Sequence, residues 1–175
     1  MILLKTALCG AFVIAGAFTG MFYARRLTQR RVALGELVRS LQLFENEIYY
    51  TRERLEKAAA RVSRASEGQS AELFAVFSEL LRERGEAGTG YIWGIAVREC
   101  FPEGMPLDAR DIDALCSMGR QLGSTDVKGQ TENVERTLKE LSLRLADAGS
   151  AEAQKGRVYR TAGVAGGILC AVLIV

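Results

Sequence analysis

Residues 27–55 read LTQRRVALGELVRSLQLFENEIYYTRERL. In this stretch Leu34, Leu37, Leu41, Phe44, Ile48 and Leu55 recur at steps of three, four or seven, the spacing that lines side chains along one face of an α-helix. It predicts either one long helix or two helices broken near Thr51. Glu45 and Glu47, two positions apart, point roughly 200° away from each other on such a helix, so both cannot face the core. An exposed one is available to a partner's basic surface. The competing reading pairs these acids with Arg52 or with arginines of a neighbouring helix, as surface ion pairs of small individual worth.

Downstream, helical patterns follow at short intervals. After the polar turn Ser66-Glu67-Gly68-Gln69-Ser70, the residues Leu73, Phe77, Leu80 and Leu81 share a face and the pattern stops at Gly85. A glycine-containing linker from Glu86 to Gly90 leads into Tyr91-Ile92-Trp93-Gly94-Ile95-Ala96-Val97, an apolar stretch that predicts a short buried helix ending before Pro102 and Pro106. Asp108 is placed to cap a further helix with the face Ile112, Leu115, Gly119 and Leu122, closed by Gly123; glycine at 119 admits a close neighbour. From Thr125 onward, Val127, Val134, Leu138, Leu141 and Leu145 keep heptad register and run toward Lys155. In this segment Asp126 reads as the cap of the final helix, followed by Gln130. Five or six amphipathic helices with connections this short make an antiparallel bundle the expected fold, with a tandem coiled coil as the weaker arrangement.

The ends of the chain differ from its middle. Thr6 to Ala24 is a run of nineteen residues without a charge, close to the length that spans the roughly 30 Å hydrocarbon core of a bilayer. A cleaved signal peptide is the alternative, with Ala15-Gly16-Ala17 as the cleavage site. The apolar run, however, continues through Phe18, Met21, Phe22 and Tyr23 into a basic cluster, as an uncleaved anchor would. The second apolar segment, Thr161 to Val175, has only fifteen residues and spans only with Val158 and Tyr159 near the interface and Arg160 snorkelling. Arg25, Arg26, Arg30 and Arg31 follow the first segment; Lys155, Arg157 and Arg160 precede the second. Basic flanks mark the cytoplasmic side, so the middle of the chain is expected in the cytoplasm and both termini beyond the membrane. The division is an N-terminal transmembrane anchor at 1–25, a cytoplasmic helical bundle at 26–157 and a C-terminal transmembrane segment at 158–175. Gly16 with Gly20, and Gly163 with Gly167, have the GxxxG spacing of close helix pairing, although glycine is common in membrane helices in any case.

Composition narrows the function. With 23 Lys and Arg against 21 Asp and Glu, there is no field that implies nucleic acid as a partner. Two prolines in 175 residues favour helix throughout. Cys9 and Cys170 lie in the apolar ends, and Cys100 and Cys116 stand alone, so neither a disulfide framework nor a metal site is indicated. Histidine is absent, which removes the usual general base. No phosphate-binding loop, nucleophile elbow or dinucleotide fingerprint occurs, and no acid lies within an apolar run that would raise its pKa. The expectation is a protein that is not an enzyme and carries no cofactor. A transport or pore-forming role is disfavoured because neither apolar segment contains a charge to mark an ion path.

Three stretches resemble one family, the stage III sporulation AB proteins: Phe44-Glu45-Asn46-Glu47-Ile48-Tyr49-Tyr50; Met118-Gly119-Arg120-Gln121-Leu122-Gly123-Ser124-Thr125-Asp126 with Gln130; and Lys155-Gly156-Arg157-Val158-Tyr159-Arg160. In this order between two apolar ends they cover nearly the whole chain. One departure stands out: family members commonly have Pro-Leu after the tyrosine motif, where this chain has Arg54-Leu55 and lacks the expected helix breaker. The resemblance implies a cytoplasmic domain similar to those of type II secretion and type IV pilus inner-membrane platform proteins. It also implies a scaffold in a complex linking mother cell and forespore, in the mother-cell inner membrane. By the same resemblance, the chain would dock a secretion-type ATPase and other inner-membrane subunits, with homo-oligomerisation open, through a surface carrying Glu45, Glu47, Tyr50, Arg120, Asp126 and Gln130. The alternative is a membrane-anchored adaptor or signalling protein whose bundle offers a groove to soluble partners.

Overall fold

The computed structural model describes residues 2–51, 53–102 and 106–174, with the side chains of residues 2–10, 12, 13, 85, 160, 163, 164 and 167–174 outside the description. Among the described residues the architecture is all-α: α1 (Ile2–Thr51), α2 (Leu55–Ala65), α3 (Gly68–Arg84), α4 (Thr89–Cys100), α5 (Ala109–Gly119) and α6 (Val127–Ile174), with a 3-10 turn, Gly85–Ala87, between α3 and α4. The chain divides into two compact units, residues 32–146 and residues 1–31 with 147–175.

The larger unit is built on the stripe that opens the sequence. Leu34, Leu37, Leu41, Phe44 and Ile48 are all buried. Leu55, expected to continue the stripe, instead opens α2 and is half-buried. α1 stops at Thr51 without a proline. The break is held by side chains: the Thr51 hydroxyl donates to the Glu47 carbonyl at 2.6 Å, and Arg61 of α2 donates to Glu47 at 2.6 Å, to Glu53 at 2.9 Å and to Thr51 Oγ1 at 3.2 Å. A threonine hydroxyl bonded back to the preceding turn competes with helix continuation, and one guanidinium fork then fixes the two helix ends to each other.

Helices next to each other in sequence run antiparallel. Ser78 near the end of α3 donates to the Glu56 carbonyl near the start of α2, whereas α1 and α3, two helices apart in sequence, run parallel, with Ser40 on Ser70 at 2.8 Å and Phe44 on Phe74. Asp111 and Met118 of α5 meet Arg144 and Asn133 of α6 in reverse order. The turn expected across residues 66–70 is shorter than its polar composition suggests, because α3 already begins at Gly68, where φ is +61°. At the centre, Phe44, Phe74, Phe77 and Trp93 form an aromatic cluster with ring centroids 4.8 to 6.4 Å apart. Such edge and offset contacts add to the burial of four large side chains. Trp93 satisfies its one polar atom by donating Nε1–H to the Leu115 carbonyl at 2.8 Å.

α5 ends at Gly119 rather than at Gly123. The next residues tighten into turns, with Gln121 N bonded to the Met118 carbonyl and Leu122 N to the Gly119 carbonyl at 3.1 and 3.0 Å. Gly123 is left-handed, with φ +77°, as a chain-reversing glycine requires, but it closes a turn and not a helix. The start of α5 matches the expectation: Asp108 accepts from Asp111 N, and the Asp111 carboxylate accepts from Asp108 N, each at 3.0 Å, a reciprocal cap. The face of α5 is rotated from the expected one, with Asp111, Ala114, Leu115, Met118 and Gly119 buried and Ile112 only half-buried.

In the smaller unit the early part of α1 lies beside the late part of α6. Tyr23 stacks on Tyr159, with centroids 5.7 Å apart. Thr28 Oγ1 donates to Glu152 Oε1 at 2.7 Å, and Arg31 pairs with the same carboxylate. Ala24 is buried, whereas Ile14, Phe18, Met21, Phe22, Tyr23, Val158 and Tyr159 are exposed. Among the described residues no helix is long and apolar enough to cross a membrane. Cys9 and Cys170, and the Gly163 and Gly167 spacing, lie outside the described side chains.

Candidate functional site

The residues singled out in the sequence fall into three places. At the end of α1, Glu45 and Glu47 diverge as their spacing requires. Glu47 is tied to Arg61 of α2, so the ion-pair reading holds for it, with an arginine of the neighbouring helix as its partner. Glu45, half-buried, faces α6. Burial raises its pKa, the Glu135 carboxylate raises it further and the Lys139 ammonium offsets part of the rise. Glu45 sits in no apolar run of the sequence, as expected of every acid here; the rise comes from tertiary burial, which the local pattern does not report. Tyr50 projects with 77% of its surface exposed, its ring edge-on to Tyr49 at 5.0 Å.

The second place is the connection from α5 to α6. Asp126 Oδ1 accepts from Gly129 N at 2.9 Å, and Gln130 N bonds the Asp126 carbonyl at 3.0 Å, so Asp126 starts the final helix. The Gln130 amide donates to the Thr125 carbonyl at 2.9 Å. Both residues are thereby committed to the local turn. Arg120 differs: it is exposed, and its guanidinium donates to Ser117 Oγ at 3.0 Å.

Arg120 borders a cleft of about 650 Å³ between α4, α5 and the turn after α5. Its walls include Glu86, Gly90, Tyr91, Gly94, Arg98 and Cys116. Glycines let the backbones come this close. A Cβ on Gly90 would sit 2.6 Å from the Gly119 carbonyl oxygen, and one on Gly123 would sit 2.6 Å from Thr89 Oγ1. Tyr91 is 67% exposed over the cleft. The Cys116 thiol has its pKa raised by burial first; the nearby charges of Arg98 and Arg120 lower it and that of Asp113 raises it. Both arginines therefore act on the same spot. Arg98 was not anticipated as a site residue; its signal was the four-residue step Gly90, Gly94, Arg98, which places two glycines and a cation on one helix face.

The third place is the basic flank. Arg25 and Arg26 are exposed, with the Arg26 guanidinium 5.4 Å from the Phe22 ring centroid. Arg30 is half-buried, Arg31 pairs with Glu152, and Lys155 and Arg157 are exposed. The side chain of Arg160 lies outside the description.

These features define a class: an all-α protein with one unit a helical bundle and the other a pair of helix ends carrying basic and aromatic side chains. The model of the stage III sporulation protein AB family matches residues 5–175, so the chain belongs to that family. It is similar to stage III sporulation protein AB of Bacillus subtilis (strain 168), with 25% identity over 162 residues, covering 93% of this chain and 94% of the relative. A solved structure of a stage III sporulation protein AB shares the fold, with a TM-score of 0.66 and 24% identity over 72% of this chain and 98% of that one.

Proposed function

We propose that the chain is a non-enzymatic platform subunit of a secretion-like sporulation complex between mother cell and forespore. Its two helix ends anchor it in the mother-cell membrane, and its bundle docks a secretion-type ATPase and neighbouring inner-membrane subunits on the cytoplasmic side. Family membership supports the sporulation role.

The observation that carries the membrane part of this reading is the smaller unit. Two helix ends lie side by side, joined by Tyr23 with Tyr159 and by Glu152 with Thr28 and Arg31. Exposed Ile14, Phe18, Met21 and Phe22 give way along α1 to Arg25 and Arg26. Apolar exposure, then aromatic rings, then arginines is the order in which a helix leaves a bilayer on its cytoplasmic face. The paired ends would then enter the membrane together and leave both termini on the far side.

The test is co-purification of the detergent-solubilised full chain from sporulating cells, with its companions identified by mass spectrometry. Recovery of a secretion-type ATPase with other membrane subunits supports the platform. Enrichment of unrelated soluble proteins without that ATPase, even under mild crosslinking, overturns it.

A further inference from the structure

We infer that the cleft between α4 and α5 is a docking site for an acidic segment of a partner protein, held by Arg98 and Arg120. The inference rests on the platform reading for the existence of a protein partner; the chemistry of the partner's contact comes from the cleft.

Some arginines of the structure are engaged by acids of this chain and others, such as Arg39, Arg64 and Arg136, form no ion pair among the described residues; what sets Arg98 and Arg120 apart is the concavity they share. Arg31, Arg61, Arg82 and Arg144 each form an ion pair with an acid of this chain. Arg98 and Arg120 form none among the described residues, although both line one concavity and both act on the Cys116 sulfur. Two cations lining one concavity favour an arriving carboxylate, which would accept charge-assisted hydrogen bonds from them. The first turn of α4 reinforces the sign. Gly88 precedes it with φ +86°, and no side chain caps it, so the helix's positive end at Thr89 and Gly90 lies along the same wall. Glu86 is the one acid among the described lining residues, and it leaves the cleft with a net positive charge.

Shape favours a chain segment over a small ion. The cleft is open, about 650 Å³ in volume, and Tyr91 offers an exposed ring beside the arginines to pack a flanking apolar residue. The glycine-lined walls keep backbone within reach of an extended strand of partner chain.

The full chain in nanodiscs, titrated with a fluorescein-labelled peptide of alternating Glu and Leu, tests this by anisotropy. The wild type should bind, with affinity that falls as salt rises, and R98E/R120E should lose at least about tenfold. R98K/R120K should keep most of the binding, and R39E/R136E, with the same change in net charge at residues that do not line the cleft, should bind as the wild type does. Equal binding by the wild type and R98E/R120E, or none by the wild type, overturns the inference. Displacement of the peptide by inorganic phosphate at low millimolar concentration would reassign the cleft to a small anion. Co-purification with R98E/R120E separates the two readings. Retention of the secretion-type ATPase leaves the platform standing and removes the cleft from it, whereas an ATPase missing even from the wild type removes the platform and leaves the peptide titration to decide the cleft.

Discussion

Trp93 is packed so closely on Gly119 that a Cβ added to the glycine would lie 2.1 Å from the indole Cδ1. That contact joins α4 to α5, brings the aromatic cluster against the end of α5 and sets the distance between the walls of the cleft.

Gly119→Ala should therefore be severe. Neither Trp93, which is held by its bond to Leu115 and by three phenyl rings, nor the helix backbone has room to withdraw. We expect a loss of about 3 kcal/mol, at the upper end of overpacking costs, measured by chemical denaturation of the detergent-solubilised chain. Trp93 is the chain's one tryptophan, so its emission should shift to the red in the same variant. A stability within 0.5 kcal/mol of the wild type, a difference about the size of a neutral surface change, would show that the contact is loose.

Arg144→Ala should cost more than a surface ion pair. Asp111 is fully buried, and besides capping α5 it faces Arg144 Nη1 at 3.5 Å. Removing the arginine leaves a buried carboxylate with less compensation, at an expected cost of about 2 to 3 kcal/mol. Arg82→Ala, which breaks an exposed pair with Glu79, should fall below about 0.5 kcal/mol. Equal effects from the two substitutions would contradict the assignment of Asp111 as the buried partner.

Cys100 should resist alkylation while the chain is folded. It is buried, and its thiol pKa is pushed up to about 11, by burial first and then by the charges of Glu72 and Glu99. At pH 8 that leaves on the order of one thiolate in a thousand. With Cys9 and Cys170 replaced by serine, iodoacetamide should modify Cys116 in the cleft first and Cys100 only on unfolding. Mass spectrometry of a time course distinguishes the two sites, and rapid native labelling at Cys100 would count against the burial described here.

Glu45 gives the α1–α6 contact a pH dependence of defined sign. Its folded pKa lies above the ordinary carboxylate value, so the native state keeps this proton to higher pH than the unfolded chain does. Its protonation favours folding, and that contribution fades as pH rises from the ordinary value through the raised one. Glu45→Gln should remove this slope and be the more stable protein above the window. Thermal melts of both proteins between about pH 4 and 7 provide the check; parallel curves would mean that the folded environment leaves Glu45 unchanged.

How much of this could be read from the sequence depended on whether a signal was local. The stripe from Leu34 to Ile48, the Asp108 cap, the packing role of Gly119 and the capping role of Asp126 all follow from spacing along one helix, and the structure has them. The end of α5 was misplaced because two turn glycines, 119 and 123, offer the same local signal; only the tertiary contact with Trp93 assigns one to packing and the other to the left-handed turn. The burial of Asp111 and the desolvation of Glu45 depend on which helix packs opposite, which no pattern within α5 or α1 reports. Arg98 was missed for the same reason: its place with Arg120 in one cleft exists only once α4 and α5 lie side by side.

The pairing of the two helix ends has a consequence in time. Thr28 and Arg31 meet Glu152 across 124 and 121 residues of chain. At about 5 to 20 residues per second of synthesis, that partner emerges roughly 6 to 24 s later. Meanwhile the contacts of α1 with α3 and α4, such as Ser40 with Ser70 and Phe44 with Trp93, can form, whereas the α1–α6 contact of Gly35 with Leu145 waits almost as long. The first helix end must therefore be kept from wrong partners by something other than its eventual mate, and a nascent chain already inserted in a lipid bilayer would have that protection.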